Sequence, residues 1–327
     1  KLALAMSLKI KAEHVEDKPV VIGYDRRFLS KEAVIWSCEI LGQQGIRVLF
    51  VDRSSPTPLI MFYVMKHDLS YGMMVTASHN PAIYNGIKVF TRGGRDADEH
   101  QTADIEKYLE QAEKLYVPDP EENGQMPPHA YQELVKSGRV VEMNPMNEYL
   151  DNIISLINLD AIRERDLRIA IDPMYGVSLT ALCTILSIAR CTVETINSQH
   201  DTLFGGKMPA PTESTLRSLQ NYVLDRYCDI GIATDGDADR LGVIDDKGHY
   251  LHANTILVML YYYLLKYRGW RGPAVRNLST THVLDKVAES FGQKCYEVPV
   301  GFKYISAKMQ ETDAIIGGES SGGLTVK

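Results

Sequence analysis

Short runs of β-branched and apolar residues alternate with longer helix-like segments along this chain. That alternation restricts the fold more than any other feature. Pro19-Val20-Val21-Ile22-Gly23-Tyr24-Asp25 reads as a strand followed by a polar loop, and residues 30–42 read as a helix with Ser30 as N-cap. Ile46-Arg47-Val48-Leu49-Phe50-Val51 is the next strand, and a Pro-rich loop, Ser54-Ser55-Pro56-Thr57-Pro58, leads into an apolar helix over 59–66. Gly72-Met73-Met74-Val75 and Gly86-Ile87-Lys88-Val89-Phe90 are further strands. Strands alternating with helices predict an α/β domain with a largely parallel sheet. A second unit of this kind starts near Met146, with helices over 147–156 and 179–189 and strands over 167–172 and 229–233. A third starts near His252, with an apolar helix, a Thr-rich loop, a helix over 283–291 and two more strands. The expected domains are 1–145, 146–251 and 252–327, with the Pro-rich, acidic stretch 116–128 as a surface excursion late in the first. The common α/β character alone does not establish an internal repeat.

A chain of 327 residues is too long for one ordinary domain and can bury a sizeable core. Apolar residues make up 45% and charged residues 24%, as in soluble globular proteins, and the net charge of −7 argues against a general nucleic-acid or anionic-membrane binder. Cys38, Cys183, Cys191, Cys228 and Cys295 are scattered and form no C-x-x-C pair. That pattern speaks against a disulfide framework or zinc site and for a reducing cytoplasm. The longest apolar run, 256–265, is about half the length a bilayer demands and reads as a buried helix. The first residues carry no initiator Met and read as the inside of a helix; Gly323-Leu324-Thr325-Val326-Lys327 reads as an interrupted strand. Both ends are therefore expected to be truncations of a longer protein.

Two short runs carry the chemistry. Thr76-Ala77-Ser78-His79-Asn80-Pro81 follows an apolar strand, which places the Ser78 hydroxyl on a stiff, exposed turn suited to carrying a phosphoryl group. A hydrolase elbow, G-x-S-x-G, is excluded because both glycines are missing, and adjacent side chains in an extended loop point apart, which makes His79 a poor base for Ser78. A plain capped turn is the competing reading. It weakens beside Tyr84-Asn85-Gly86-Ile87-Lys88, where a strand brings a Lys able to handle a proton near a phosphoryl group.

The second run is Thr234-Asp235-Gly236-Asp237-Ala238-Asp239-Arg240, again directly after an apolar strand. Carboxylates about 4 Å apart repel by roughly 1 kcal/mol per pair in water and about 4 kcal/mol near a protein surface. A hard divalent cation removes that cost, and oxygen ligands suit Mg²⁺ or Ca²⁺. A calcium EF-hand requires Gly at the sixth loop position and Glu at the twelfth; counted from Asp235 these are Arg240 and Asp246. Arg240 adjoins the carboxylates, where a guanidinium can hold a phosphate from a second side.

Taken together, the Ser78 run with Asn85-Gly86-Ile87-Lys88 and the Asp235–Arg240 run closely resemble the α-D-phosphohexomutases. Gly317-Gly318-Glu319-Ser320-Ser321-Gly322 looks like that family's sugar-recognition loop, Val300-Gly301-Phe302-Lys303 is similar to a substrate-reaching segment, and Gly23-Tyr24-Asp25-Arg26-Arg27 resembles a strand-loop ending in an active-site Arg. The resemblance implies three successive three-layer α/β/α domains with mixed, largely parallel sheets, the third incomplete and a fourth family domain absent. It implies an intramolecular phosphotransferase that interconverts hexose 1-phosphate and hexose 6-phosphate through phospho-Ser78. Glucose 1,6-bisphosphate would serve as activator and intermediate, and the partner is a small hexose phosphate, with no nucleic acid or membrane. Mg²⁺ would sit on Ser78, Asp235, Asp237 and Asp239. Lys88 would be the general base, His79 an acid/base or orienting group, and Arg240 a phosphate ligand. Arg27, Lys303, Glu319 and Ser321 would bind substrate, while Thr280 and Thr281 read more simply as helix caps. Ala238 leans toward the glucose and mannose branches, since Gly is usual there in the glucosamine branch. Phosphoglucomutase is the expectation. Phosphomannomutase or dual specificity, a chain that binds sugar phosphate without turnover, and a Mg²⁺-dependent phosphatase are the alternatives.

Overall fold

Three sheets with the same internal strand order organise the residues described here, 1–115 and 130–327 of a computed structural model. The excursion expected over 116–128 lies outside the described residues. The chain divides into two compact units, residues 1–77 with 85–149, and residues 78–84 with 150–327.

The first unit contains α1 (Leu2–Ala12), β1 (Val20–Tyr24), α2 (Ser30–Gln43), β2 (Val48–Val51), α3 (Thr57–Lys66), β3 (Tyr71–Val75), β4 (Ile87–Thr91), β5 (Arg95–Asp96), α4 (Glu99–Leu115), α5 (Ala130–Lys136) and β6 (Val140–Met143). Its sheet runs β5-β4-β3-β1-β2-β6; β3, β1, β2 and β6 are parallel, and β4 and β5 form an antiparallel margin. The strands are apolar on both faces because both are covered. Val20, Ile22 and Tyr24 pack with Met6, Val34, Cys38 and Leu41 on one side, while Val21 packs with Leu59, Ile60 and Val64 of α3 on the other. Helix α2 differs from the sequence expectation at its start. Leu29 occupies the N-cap at φ 59°, and Ser30 is the first helical residue, its hydroxyl donating to Asp25 Oδ1 at 3.0 Å. The charge-assisted bond the Ser30 hydroxyl donates to a carboxylate is stronger than the neutral bond an N-cap serine oxygen accepts from a backbone amide.

Helix α6 (Met146–Leu156) runs from the first unit into the second, which continues with α7 (Leu159–Arg163), β7 (Arg168–Asp172), α8 (Leu179–Ile188), β8 (Thr192–Thr195), α9 (Arg217–Asp225), β9 (Ile230–Thr234), β10 (Leu241–Asp245) and β11 (Tyr250–Leu251). The order is β11-β10-β9-β7-β8, with β9, β7 and β8 parallel. Then follow α10 (Ala253–Lys266), β12 (Ala274–Asn277), α11 (Val283–Ser290), β13 (Cys295–Val298), α12 (Phe302–Thr312), β14 (Ile316–Gly318) and β15 (Leu324–Val326), with strand order β13-β12-β14-β15. On β12, Ala274 joins the α10–α11 core and Val275 the α12 core, so this sheet too lies between helices. The apolar run 256–265 forms most of α10, but it is buried on one side only; Met259, Tyr262 and Tyr263 are exposed. Among the described residues no helix is long and apolar enough to cross a membrane.

In each sheet the first strand is central, the second flanks it on one side, the third on the other, and the fourth pairs antiparallel with the third. The connection from third to fourth strand holds Ser78 in the first sheet, Asp235–Arg240 in the second and Glu319–Gly323 in the third. Three loops of unrelated sequence thus occupy one topological position, at the carboxyl end of a parallel strand, where open α/β sheets place their ligands.

Candidate active site

Ser78 and the Asp235 loop come together within the second unit. Ser78 Oγ donates to Asp235 Oδ2 at 2.7 Å. Ser78 is only 8% exposed and has φ 52°, so the turn is neither open to solvent nor extended, and both expectations drawn from the sequence are corrected. The alternation that sends neighbouring side chains apart belongs to extended backbone. In this left-handed turn His79 Nδ1 instead lies 3.4 Å from Ser78 Oγ, long for a hydrogen bond but on the same side. The approach of the two loops requires glycine at 236. A Cβ there would stand 2.8 Å from the Ser78 carbonyl oxygen and 3.3 Å from the Phe204 ring. Gly236→Ala is therefore expected to destabilise the fold by about 1–3 kcal/mol through overpacking, read as a lower thermal midpoint. An unchanged midpoint would contradict this packing.

Asp235 organises its loop. Its Oδ1 accepts from the amides of Asp239 at 3.0 Å and Arg240 at 3.1 Å, and its carbonyl accepts from Ala238, whose φ is 61°. This tight wrap brings one carboxylate oxygen from each of Asp235, Asp237 and Asp239 within 4.8 Å of the others. Asp235 and Asp237 are fully buried and Asp239 is half-buried. Three carboxylates so placed are costly without a countercharge, and their all-oxygen character fits a hard divalent cation. The loop is braced from behind by Asp172 at the end of β7, which the motifs do not mark. Asp172 accepts from the Met174 amide at 2.8 Å and Asn197 Nδ2 at 3.0 Å, and burial pushes its carboxyl pKa up. The turn it holds leads to Val177, whose amide donates to the Gly236 carbonyl.

Arg240 is half-buried, and the next residue joins this loop to the third sheet: Leu241 N donates to the Gly322 carbonyl at 3.1 Å. Glu319 and Ser321 are adjacent there, with Ser321 Oγ donating to Glu319 Oε2 at 3.1 Å. Glu319 Oε1 accepts from the Gly301 amide at 3.0 Å and from Asn277 Nδ2 at 2.9 Å. Gly301 starts α12, whose first turn carries Lys303, with its ammonium 5.1 Å from the centre of the Tyr304 ring. Of the two threonines read as caps, Thr281 accepts from the Val283 amide at the start of α11. Thr280, only 3% exposed, instead ties Asn277 Oδ1 to the Ser320 amide. Asn277 is missed by motif reading; its only sequence signal is a polar amide at the end of a short strand.

Arg27 and Lys88 belong to the first unit. Arg27 is buried against Asp25, with N and Nε donating to its two oxygens at 2.9 and 3.2 Å. Asp25 also accepts from Thr76 Oγ1 at 2.7 Å, so one carboxylate holds the ends of β1 and β3 and the start of α2. Lys88 is half-buried on β4, opposite Met74 of β3.

Comparison with known proteins agrees with this construction. Three family models match, described as phosphoglucomutase/phosphomannomutase α/β/α domain I over residues 1–116, domain II over 147–248 and domain III over 252–327. A protein named probable phosphoglucosamine mutase from Pyrococcus abyssi is 30% identical over 324 residues, 98% of this chain and 66% of its own length. A phosphoglucomutase/phosphomannomutase from Thermococcus kodakarensis is 28% identical over 327 residues, 99% of this chain and 67% of its own. The crystal structure of a candidate phosphomannomutase from Thermus thermophilus superposes with a TM-score of 0.87 at 28% identity, covering 99% of this chain and 70% of that one. The chain thus spans about two thirds of the length of the curated relatives it matches. Three mixed, largely parallel α/β/α sheets, each presenting a motif loop at the same strand connection, and three matching domain models identify the chain as a member of the phosphoglucomutase/phosphomannomutase family, the α-D-phosphohexomutases.

Proposed function

We propose that this chain carries the phosphoryl-transfer, metal-binding and sugar-recognition parts of a phosphohexomutase that interconverts hexose 1-phosphate and hexose 6-phosphate, with glucose as the hexose. The observation that supports it most is the Ser78 hydroxyl 2.7 Å from Asp235 in a buried three-carboxylate loop. Each of the proposed domains, 1–145, 146–251 and 252–327, contributes one loop. The five free cysteines suit a reducing compartment, and we place the protein in the cytoplasm.

In the first half-reaction the Oγ–P bond of phospho-Ser78 breaks while a P–O bond forms to the free hydroxyl of the sugar monophosphate. The hydroxyl proton passes to Lys88, the proposed base, with His79 orienting the phosphoserine or relaying the proton. Ser78 Oγ leaves as the oxyanion. After the hexose 1,6-bisphosphate turns, Oγ attacks its other phosphorus, the sugar O–P bond breaks and the freed sugar oxygen takes the proton back from Lys88, so atoms and charge balance over the cycle. Ser78, Asp235, Asp237 and Asp239 would hold Mg²⁺, whose charge when bound offsets that of the phosphoryl oxygens. Phosphoserine carries about −1.5 to −2 charge at neutral pH, so Arg240 and Lys303 are needed to admit a second anion. Glu319 and Ser321 hydrogen-bond the sugar hydroxyls. The burial of Arg27 against Asp25 favours a role that begins with holding its loop in place.

Assays on glucose 1-phosphate, mannose 1-phosphate and glucosamine 1-phosphate, run side by side, test the reading. The highest kcat/KM is expected on glucose 1-phosphate, and a preference for glucosamine 1-phosphate, in line with the name of the Pyrococcus relative, would overturn the choice of hexose. Phosphate release without isomerisation would replace a mutase by a phosphatase. Lys88→Met is expected to lower kcat by about 10²–10⁴-fold, the usual share of a general base; an unchanged kcat would remove Lys88 from the proton path.

A further inference from the structure

We propose that Asn277 is a positioning residue that fixes which carboxylate oxygen of Glu319 faces the hexose. The proposal rests on the hexose-phosphate reading of the site. Strands β12 and β14 pair in parallel with Arg276 opposite Gly318. The next residue on each, Asn277 and Glu319, stand opposite one another at the carboxyl end of the sheet. Asn277 is 1% exposed, and both halves of its amide are engaged. Its Oδ1 accepts from Thr280 Oγ1 at 2.6 Å, Ser279 Oγ at 2.9 Å and Ser279 N at 3.1 Å. Its Nδ2 donates to Glu319 Oε1 at 2.9 Å. The reverse amide orientation would set a carbonyl oxygen against a carboxylate and an NH₂ group against the Ser279 amide, an obligate donor, so the orientation is determined.

The consequence lies in how Glu319 divides its oxygens. Oε1 is taken by Asn277 and the Gly301 amide, both parts of the framework. Among the described residues Oε2 meets only the hydroxyl of Ser321, an exposed residue that a sugar hydroxyl can join or displace. The amide of Asn277 therefore sets the rotation of the carboxylate and holds Oε2 outward. The first sheet repeats the device at the same register. Tyr24 pairs with Val75, and the next residues, Asp25 and Thr76, are linked side chain to side chain at 2.7 Å, two residues before Ser78.

Asn277→Asp separates the two halves. It keeps the acceptor for Ser279 and Thr280 and replaces the donor with a carboxylate facing Glu319. In calorimetric titration with glucose 1-phosphate and Mg²⁺, it is expected to weaken binding about 10-fold or more, the scale of a lost charge-assisted hydrogen bond. Beside Glu319→Gln, whose amide can donate to the introduced carboxylate, the same substitution should cost no more than about 3-fold, because the pair is coupled. A role confined to capping the 277–280 turn would give the same factor in both backgrounds, and that result, or wild-type affinity in the single variant, overturns the proposal while the hexose-phosphate reading stands. No binding by the wild-type protein overturns that reading, and the role of Asn277 with it. If Asn277→Asp does not fold, Asn277→Ala goes through the same cycle. It should cost more with Glu319 intact than in the Glu319→Gln background, since a charged acceptor gains more from the amide, and equal costs overturn the proposal.

Discussion

Asp237→Asn is expected to lower phosphohexomutase turnover by about 10²–10³-fold, the scale of losing one electrostatic element from a phosphoryl-transfer site, while leaving the fold intact. Asp237 is fully buried, and its carboxylate lies within 4.8 Å of those of Asp235 and Asp239. An amide is nearly isosteric with the carboxylate but lowers the formal charge of the three side chains from −3 to −2. A hard cation loses both charge and a ligand oxygen. In the metal-free protein the substitution relieves like-charge repulsion among the three carboxylates, which works toward keeping the thermal midpoint. Added Mg²⁺ should raise the midpoint of the wild type, because a ligand at 100 times its Kd stabilises by about 2.7 kcal/mol. It should do so far less in Asp237→Asn. Full activity together with an undiminished Mg²⁺ shift would remove the metal from this loop.

Ser78→Ala should be more severe for turnover and milder for binding. Loss of a covalent nucleophile costs about 10⁴-fold or more in kcat. The substitution removes one donor to Asp235 Oδ2, but Oδ1 keeps the amides of Asp239 and Arg240. The buried carboxylate thus stays hydrogen-bonded, and the stability loss should be no more than about 1.5–3 kcal/mol, the range for a hydrogen bond to a charged group. Glucose 1-phosphate should still bind, since Glu319 and Ser321 are held by Asn277, Gly301 and one another rather than by Ser78. Measured kcat and calorimetric affinity would part company in this variant. A variant that turns over at the wild-type rate would exclude Ser78 as the phosphoryl carrier.

The parts of the site legible in the sequence are those whose chemistry demands unusual residues close together. Three carboxylates alternating with small residues after an apolar strand have few uses, and the Ser78 and Glu319 runs gain meaning beside them. The strands of the first sheet are also legible, because burial on both faces leaves continuous apolar runs. Less visible are features set by contacts distant in sequence. Asn277 reaches Glu319 across 42 residues and Thr76 reaches Asp25 across 51, and neither pairing leaves a local pattern. The positions of Ser78 and His79 depend on one left-handed φ at a non-glycine residue, against the usual preference. The common strand order stayed hidden for a similar reason. Strand β8 is Thr-Val-Glu-Thr with no buried residue, and α12 buries only Ile305, so the elements that complete the repeat carry little hydrophobic signal.

The most direct test of the central claim is the intact mass of the protein after incubation with glucose 1,6-bisphosphate and Mg²⁺, with peptide mapping of any adduct. Transfer through Ser78 predicts a single added phosphoryl group on the peptide containing Ser78, absent from Ser78→Ala. No adduct on the wild type, or one that persists in Ser78→Ala, would contradict it.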